Sequence, residues 1–213
     1  MRYLIYTLSF ALFLVFTSCS DDDDNGNTPQ TPSNTFKINN ISHPLTNCEV
    51  VYFGEWDGAH EYDILFYNGI TFDSLGNPSG KGDILIFEIE STNETRPTAG
   101  VYSRNIDNDF FIWEGYFWKG YDTSTDMEEE EWDMVTGSFD LSYRDNNRLS
   151  CSGNFGFIGG VAMNPSDAIL TYLGSFDLVD ENDFNLNEQV FSSDREERRA
   201  QYRELIWNRL NRK

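Results

Sequence analysis

Three runs near the C-terminal end of the chain indicate its fold class: SFDLSY (138–143), LSCSGNFGF (149–157) and LTYLGSFDL (170–178). In each run the main apolar residues are spaced by multiples of two, so they lie on one face of a strand. They are Phe139, Leu141 and Tyr143, then Leu149, Cys151, Phe155 and Phe157, then Leu170, Tyr172, Phe176 and Leu178. Strands with one apolar and one polar face predict an antiparallel sheet.

Turn residues divide the rest of the chain into further short strands. Asn39-Asn40 predicts a two-residue hairpin turn, because asparagine tolerates the positive φ that such a turn needs. Asp145-Asn146-Asn147 predicts another tight turn, and the residues from 73 to 82 have the composition of a loop. The turns therefore predict short strands that are neighbours in the sheet.

The remaining strand-like runs are Cys48–Phe53, Tyr62–Tyr67, Ile84–Ile89 and Gly100–Tyr102. Ile84–Ile89 is apolar on both faces at first and then alternates, which predicts a central strand with one end in water. Eight or nine strands at this spacing predict an all-β fold, either a lipocalin-like antiparallel barrel or a β-sandwich. We favour the barrel, because closure removes exposed strand edges.

The C-terminal residues 190–213 predict one amphipathic α-helix. Ser193 and Glu196 form a capping box at its start. Tyr202, Leu205 and Ile206 fall on one apolar stripe. This helix has three possible roles: packing on the β domain, docking a partner protein, or forming an exposed tail.

Charge is distributed unevenly along the chain. Residues 20–193 contain seven basic side chains against 32 acidic ones, a formal charge of −25, whereas residues 194–213 contain seven against four, or +3. An acidic body of this size repels nucleic acid and anionic lipid, so we expect neither as a partner.

The N-terminus has the pattern of an export signal. Arg2 precedes an uncharged run of 14 residues, Tyr3–Phe16, which is shorter than the roughly 20 residues of a membrane-spanning helix. Phe16-Thr17-Ser18-Cys19 resembles the lipobox of bacterial lipoproteins, and Ser20-Asp21-Asp22-Asp23-Asp24 resembles the export signal of surface-exposed lipoproteins in the Bacteroidetes. The resemblance implies that the sulfur of Cys19 carries a diacylglyceryl group and that Cys19 begins the mature chain.

The domain organisation follows from this resemblance. Residues 1–18 are then a lipoprotein signal peptide, 19–34 a lipidated cysteine with a disordered acidic tether, 35–189 the β domain and 190–213 the helix. The tether has no apolar residue beyond its cysteine, so it cannot join a core. The β domain resembles the small β-rich lipoproteins of these bacteria. We therefore expect a protein anchored by lipid in the outer membrane and facing the cell exterior.

Two cysteines remain once Cys19 is lipidated. Cys48 and Cys151 can form a disulfide in an exported protein, where oxidation is permitted. Such a bridge closes a loop of about 100 residues and contributes up to about 4–5 kcal/mol in the chain-entropy model. The alternative is that both are buried small apolar side chains.

Residues 110–121 are the most aromatic stretch and the first candidate site. Trp113, Tyr116, Trp118 and Tyr121 are the candidate members of a glycan-binding platform. Strict alternation puts Trp113 and Tyr121 on one strand face and Tyr116 and Trp118 on the other. The alternative is that core covers one face and a helix or loop the other.

Oxygen-bearing side chains recur just after this stretch. Asp122, Ser124, Asp126 and Glu128 have a spacing similar to that of a calcium loop, but Met127 stands where such loops need glycine. The alternative is a solvated acidic loop.

One modification site is suggested by resemblance. Asp73-Ser74-Leu75 resembles the three-residue O-glycosylation site of exported Bacteroidetes proteins, with Ser74 as the acceptor. Its place in a predicted surface loop suits such a modification.

Catalytic patterns are weak in this sequence. The chain has two histidines, His43 and His60, and no nucleophile-elbow pattern. We expect a non-catalytic binding module for a glycan, a peptide or an outer-membrane protein, with no cofactor. The alternatives are a small polysaccharide-active hydrolase, for which a chain with 36 acidic residues always offers some carboxylate pair, and a structural or accessory subunit of an envelope complex. The abundance of acids is not itself evidence for the hydrolase.

Overall fold

Twelve β-strands form one curled, half-barrel sheet in the computed structural model, which describes residues 34–72, 78–104, 110–125, 127–160 and 164–180. In chain order the strands are β1 (Thr35–Ile38), β2 (Ile41–Pro44), β3 (Asn47–Trp56), β4 (Ala59–Tyr67), β5 (Ile70–Phe72), β6 (Pro78–Ser91), β7 (Gly100–Ser103), β8 (Phe111–Asp122), β9 (Glu130–Asp145), β10 (Arg148–Gly159), β11 (Ser166–Ser175) and β12 (Asp177–Asp180). The all-β prediction is confirmed for these residues, with twelve strands instead of eight or nine.

Both short hairpins predicted from asparagine-rich turns are present. β1 and β2 pair through an Asn39-Asn40 turn, and both asparagines have positive φ, 51° and 64°. β9 and β10 pair across residues 146–147, where the Asn147 amide donates to Asp145 Oδ1 at 3.0 Å. The preference of asparagine and aspartate for turns thus explains where these two hairpins reverse direction.

The three alternating runs form β9, β10 and β11 with the predicted faces. Phe139, Leu141, Leu149 and Phe157 are each at most 1% exposed, and Tyr143 packs against the same core. The exception is Leu178, which is 49% exposed. The strand ends at Ser175, and the chain then turns at Phe176 into β12, so the alternation from β11 does not continue to Leu178.

The sheet order explains the curl. Hydrogen-bonded neighbours run β12-β3-β4-β6-β8-β7-β9-β10-β11-β1-β2, with β5 beside β6 and an additional β8–β9 pairing. β12 follows β11 directly in sequence, yet it pairs with β3 at the opposite end of this path, and in parallel. One continuous piece of chain therefore connects two distant parts of the sheet, and the sheet must curl to allow this. The parallel pairing differs from the antiparallel sheet predicted from the sequence.

The concave side of the sheet is filled by one apolar core. Rings from strands far apart in the sheet meet there: Phe66 and Tyr172 have centroids 5.0 Å apart, and Phe87 and Phe155 also 5.0 Å. Phe36 from the β1–β2 hairpin lies against Phe117, at 4.7 Å. Large side chains thus occupy the space that a lipocalin-like barrel offers to a ligand.

β6 is central, as predicted, but it is buried for longer than its sequence suggests. Leu85, Phe87 and Ile89 face the concave core, whereas Ile84 and Ile86 belong to a second apolar cluster on the outer face. The prediction that its second half emerges into water is wrong, because Glu88 is only 9% exposed. The outer face of the sheet is therefore buried too at this point.

The predicted loop from 73 to 82 is shorter than expected. β6 begins at Pro78, and its first residues pair with β5, with Ile70 opposite Gly80. Gly69 and Gly80 have positive φ, 65° and 115°, and a Cβ on either would collide with the backbone around the other. Ser74 lies outside the described residues, as do Cys19, the tether up to residue 33 and the helix predicted over 190–213. Within the part of the chain that is described, no helix is long and apolar enough to cross a membrane.

Candidate functional site

Three of the four predicted platform aromatics lie together on the outer face of β8. The ring centroids of Tyr116 and Trp118 are 6.5 Å apart and those of Trp118 and Tyr121 5.9 Å, with interplanar angles of 33° in both pairs. We call Tyr116, Trp118 and Tyr121 the aromatic row. Tyr121 is fully buried, whereas Tyr116 and Trp118 are partly exposed. A ligand would therefore touch Tyr116 and Trp118, with Tyr121 supporting them from behind.

Two bulges in β8 produce this arrangement and correct the prediction from strict alternation. Tyr121 pairs with Gly82 and Trp118 with Ile84, so two residues of β8 lie opposite the single residue Asp83 of β6. One of the two is Gly120, whose φ of 62° is the left-handed conformation of a bulge glycine. The extra residue reverses the alternation, so Tyr121 joins Trp118 on the outer face.

The second bulge removes Trp113 from the row. Glu114 pairs with Glu88 and Ile112 with Ile89, which leaves Trp113 as the inserted residue. Its ring meets that of Phe111 edge to face, with centroids 4.8 Å apart and an interplanar angle of 86°. The structure therefore brings together three of the four candidates and places Trp113 beside Phe111 instead.

Carboxylates from β9 border the aromatic row. Trp118 pairs with Glu131 and Tyr116 with Asp133 in the register of β8 and β9. The indole Nε1 of Trp118 donates to Glu131 Oε1 at 3.2 Å, which fixes the tilt of the indole ring. Both Glu131 and Asp133 are exposed. The row thus presents partly exposed rings with oxygen acceptors along one side.

A histidine–aspartate pair holds the bulge beneath the row. His43 Nδ1 lies 2.9 Å from Asp83 Oδ2, within hydrogen-bonding distance, and the Gly120 amide donates to Asp83 Oδ1 at 2.8 Å. Burial raises the pKa of Asp83, but these two hydrogen bonds and the charges of His43 and Lys119 outweigh it and hold the pKa below its usual value. The carboxylate therefore stays ionised and anchors the Gly120 bulge that places Tyr121.

Two ion pairs flank the same bulge. Lys119 Nζ lies 2.6 Å from Glu130 Oε1, and Lys81 Nζ lies 2.9 Å from Glu129 Oε1. Trp132 Nε1 also donates to Glu130, at 3.3 Å. The hydrogen bond from Lys119 lowers the pKa of Glu130. The Lys119 pair connects β8 to the start of β9, and the Lys81 pair connects β6 to the residue just before β9, next to Glu131 of the row.

The aromatic row offers a ligand apolar planes and acceptor oxygens in one shallow strip. No protein-family model, curated protein or solved structure matches the chain. The chemistry of the row is therefore inferred from its own side chains. Flat rings beside carboxylates suit a ligand that has apolar C–H faces and hydroxyl donors, which is the surface of a sugar ring.

Cys48 and Cys151 are free, buried thiols that face the concave core. Burial raises the pKa of both thiols well above the ordinary value, and at Cys48 the nearby Cys151 raises it further. Cys151 is therefore close enough to affect the ionisation of Cys48. Their joining in a disulfide stays a prediction.

The candidate calcium loop is built as a turn. Asp122 Oδ1 accepts from both the amide and the hydroxyl of Ser124, at 2.9 and 2.7 Å, and Asp122 pairs with Met127 as an isolated bridge. Among the described residues, no three acidic, histidine or cysteine side chains gather as a metal site. Asp126 lies outside those residues, so the set of Asp122, Ser124, Asp126 and Glu128 stays a prediction.

The His43–Asp83 pair is the part of the site that the sequence did not predict. His43 and Asp83 are 40 positions apart, on strands β2 and β6 that are not neighbours in the sheet. The one signal for it was a single aspartate immediately before the apolar run Ile84–Ile89. A lone carboxylate next to a buried strand needs partners, but the sequence does not say which.

Proposed function

We propose that this chain is a lipoprotein displayed on the outer membrane and that its β domain is a non-catalytic, glycan-binding module. The anchoring part rests on residues 16–24, which resemble a lipobox followed by an acidic export signal. The binding part rests on the aromatic row, which combines partly exposed rings with exposed carboxylates on the outside of the sheet.

Lipid anchoring has a direct test. Radiolabelled fatty acid should mark the wild-type protein and should not mark Cys19→Ser, and the variant should leave the envelope fraction. Cys151→Ser, which keeps Cys19, is the matched control and should stay labelled. A labelled Cys19→Ser protein, or one that stays with the envelope, would refute the anchor.

A single observation favours a glycan over a peptide: the indole of Trp118 is hydrogen-bonded to Glu131 and has an aromatic ring on each side, Tyr116 and Tyr121. A pre-oriented plane loses little entropy when a rigid ring stacks on it. A peptide would gain most from a free strand edge or a deep apolar groove. The row lies in the middle of the sheet, on β8, which has partners on both sides.

The test is binding of the full chain to a glycan array, repeated with variants of the row. Trp118→Ala should weaken binding about tenfold, the equivalent of about 1.4 kcal/mol, which is in the range of one aromatic contact. Trp118→Phe should retain part of the binding, since it keeps a ring but loses the contact to Glu131.

The control is Ile169→Ala, which truncates an apolar side chain that is 48% exposed on β11. It should bind as wild type does. Binding that is unchanged in Trp118→Ala while the thermal midpoint stays constant would contradict the proposal. A loss of several kcal/mol of stability in Trp118→Ala would show that Trp118 is core instead.

A further inference from the structure

The outer face of β3, β4, β6 and β8 carries rows of mixed acidic and apolar side chains. One row across the four strands is Val51, Asp63, Glu88 and Glu114, the next is Glu49, Leu65, Ile86 and Tyr116, and a third pairs Glu61 with Glu90. Like charges directly opposite one another destabilise a sheet. We call this surface the acidic face.

The acidic face is buried, although it lies on the outside of a single sheet. Glu49 is 6% exposed, Glu61 7%, Asp63 6% and Glu88 9%. Their apolar neighbours Val51, Leu65 and Ile86 are at most 4% exposed. Since buried carboxylates need an opposite charge or several hydrogen-bond donors, we expect a second layer with positive charge over this face.

The strands of the face carry little of that charge themselves. The only lysines or arginines in β3, β4, β6 and β8 are Lys81 and Lys119, which pair with Glu129 and Glu130. Tyr67 Oη donates to Glu49 Oε1 at 3.0 Å, which serves one of the carboxylates. Every acid of the acidic face takes part in polar or electrostatic interactions, so none is an isolated charge. A positive charge that balances the remaining carboxylates would have to come from outside these four strands.

We propose that the C-terminal segment 194–213 of the same chain is this second layer. It has the complementary composition: seven bases against four acids, in a protein whose preceding body carries −25. It also has an apolar stripe of Tyr202, Leu205 and Ile206 with basic residues beside it. The stripe supplies apolar surface of the kind that the face needs, and the six arginines supply charge opposite to that of its carboxylates.

The chain leaves the described fold at the edge of this face. β12 ends at Asp180, which pairs with Tyr52 of β3. Residues 181–193 can extend over roughly 40 Å, whereas four strands are only about 15 Å wide. A helix of 20 residues is about 30 Å long. The segment therefore has ample length to return across β3, β4 and β6.

The proposed site of the segment, on the acidic face, adjoins the proposed glycan site on the aromatic row. The segment is proposed to cover the carboxylates of β3, β4 and β6, whereas the glycan is proposed to bind along the side of the aromatic row that borders Glu131 and Asp133 of β9. Tyr116 belongs to both surfaces. Carboxylate labelling at Asp63 and Glu88 tests the segment and the Trp118 variants test the glycan, so the failure of one proposal is distinguishable from the failure of the other.

The test measures how accessible the carboxylates are in the full chain. Carbodiimide labelling followed by mass spectrometry should modify Asp63 and Glu88 slowly and the exposed Asp140 and Asp145 quickly. Replacing all six arginines of the segment with glutamine should raise labelling of Asp63 and Glu88 at least tenfold and leave Asp140 and Asp145 unchanged. The matched control replaces the exposed Arg144 and Arg148 with glutamine and should change nothing.

A second measurement keeps the proposal testable if the variant with all six arginines replaced does not fold. Glu88→Gln should lower the urea midpoint of the otherwise wild-type chain, because it removes an ion-pair partner. In a chain that already carries Arg198→Gln and Arg199→Gln, Glu88→Gln should lower the urea midpoint less, or should raise it. Equal effects in both backgrounds, or protection that disappears on dilution as expected for the segment of a second copy, would overturn the proposal.

Discussion

Phe66 of β4 and Tyr172 of β11 pack ring against ring, with centroids 5.0 Å apart, although five strands separate β4 from β11 along the sheet. The contact spans the concave side and is possible only because the sheet curls. Phe66 is 0% exposed and Tyr172 2%. The half-barrel is therefore held together by aromatic contacts across its interior as well as by hydrogen bonds along the strands.

Phe66→Ala should lower the free energy of unfolding by about 3–5 kcal/mol, because it leaves a cavity where distant strands meet. Equilibrium urea unfolding followed by tryptophan fluorescence measures this loss. The control is Ile41→Ala, at a side chain that is 58% exposed on β2, where a change within about 0.5 kcal/mol is expected. A similar small effect at Phe66 would contradict a core that joins β4 to β11.

Asn40→Val should destabilise the β1–β2 hairpin by about 1–2 kcal/mol, because a β-branched residue does not readily adopt the φ of 64° found at Asn40. Asn40→Gly should be neutral or slightly stabilising, since glycine accepts this conformation. The comparison of both variants with wild type by thermal unfolding isolates the backbone effect. If glycine and valine are equally destabilising, the side chain of Asn40 and not its backbone matters.

Cys48 and Cys151 should resist alkylation in the folded protein. They are 3% and 0% exposed, and burial raises the pKa of both thiols, so the reactive thiolate is scarce. Iodoacetamide and mass spectrometry should find both unmodified under native conditions and both modified in denaturant without reductant. A requirement for reductant before labelling would instead establish the disulfide.

Asp83→Asn should cost about 1–3 kcal/mol at neutral pH, because it weakens the contacts with His43 and the Gly120 amide. The pKa of Asp83 is lower in the folded chain than its usual value. The ionised carboxylate therefore stabilises the fold fully above the unfolded pKa of about 3.9, and this stabilisation is lost as the pH falls through the folded pKa.

The difference between wild type and Asp83→Asn should accordingly shrink below about pH 4. Urea unfolding at a series of pH values measures it, with the exposed Asp140→Asn as the control for removing a negative charge. A difference that stays constant down to the lowest pH would show that ionisation of Asp83 does not contribute.

The buried faces of β9, β10 and β11 could be predicted from the sequence because polar and apolar residues alternate along each strand. The turn residues between β9 and β10 are also recognisable in the sequence. Phe139, Cys151 and Tyr172 lie in stretches of their strands without a register shift, so counting every second residue places them on the correct face. The same count failed in β8, because Gly120 and Trp113 occupy bulges that reverse the alternation. A bulge depends on the partner strand, so its position is not contained in the local pattern.

The remaining differences from the sequence predictions are also long-range. In the sequence, Glu88 alternates with Phe87 and Ile89, which is typical of a residue that faces solvent. Its burial in the structure depends on residues that are distant in sequence and cannot be read from this local pattern. The His43–Asp83 pair joins residues 40 positions apart. The strand partner of β12 is likewise set by the curl of the entire sheet and not by its own four residues.

The parallel pairing of β12 with β3 has a consequence for biosynthesis. β3 lies near the start of the β domain, and residues 177–180 cover its open edge only when most of the chain has been made. Until then β3 presents a row of unsatisfied amides and carbonyls, which favours intermolecular aggregation. A polypeptide of this design must be kept from associating with other copies until residues 177–180 are in place, and a chain truncated shortly before position 177 is expected to aggregate.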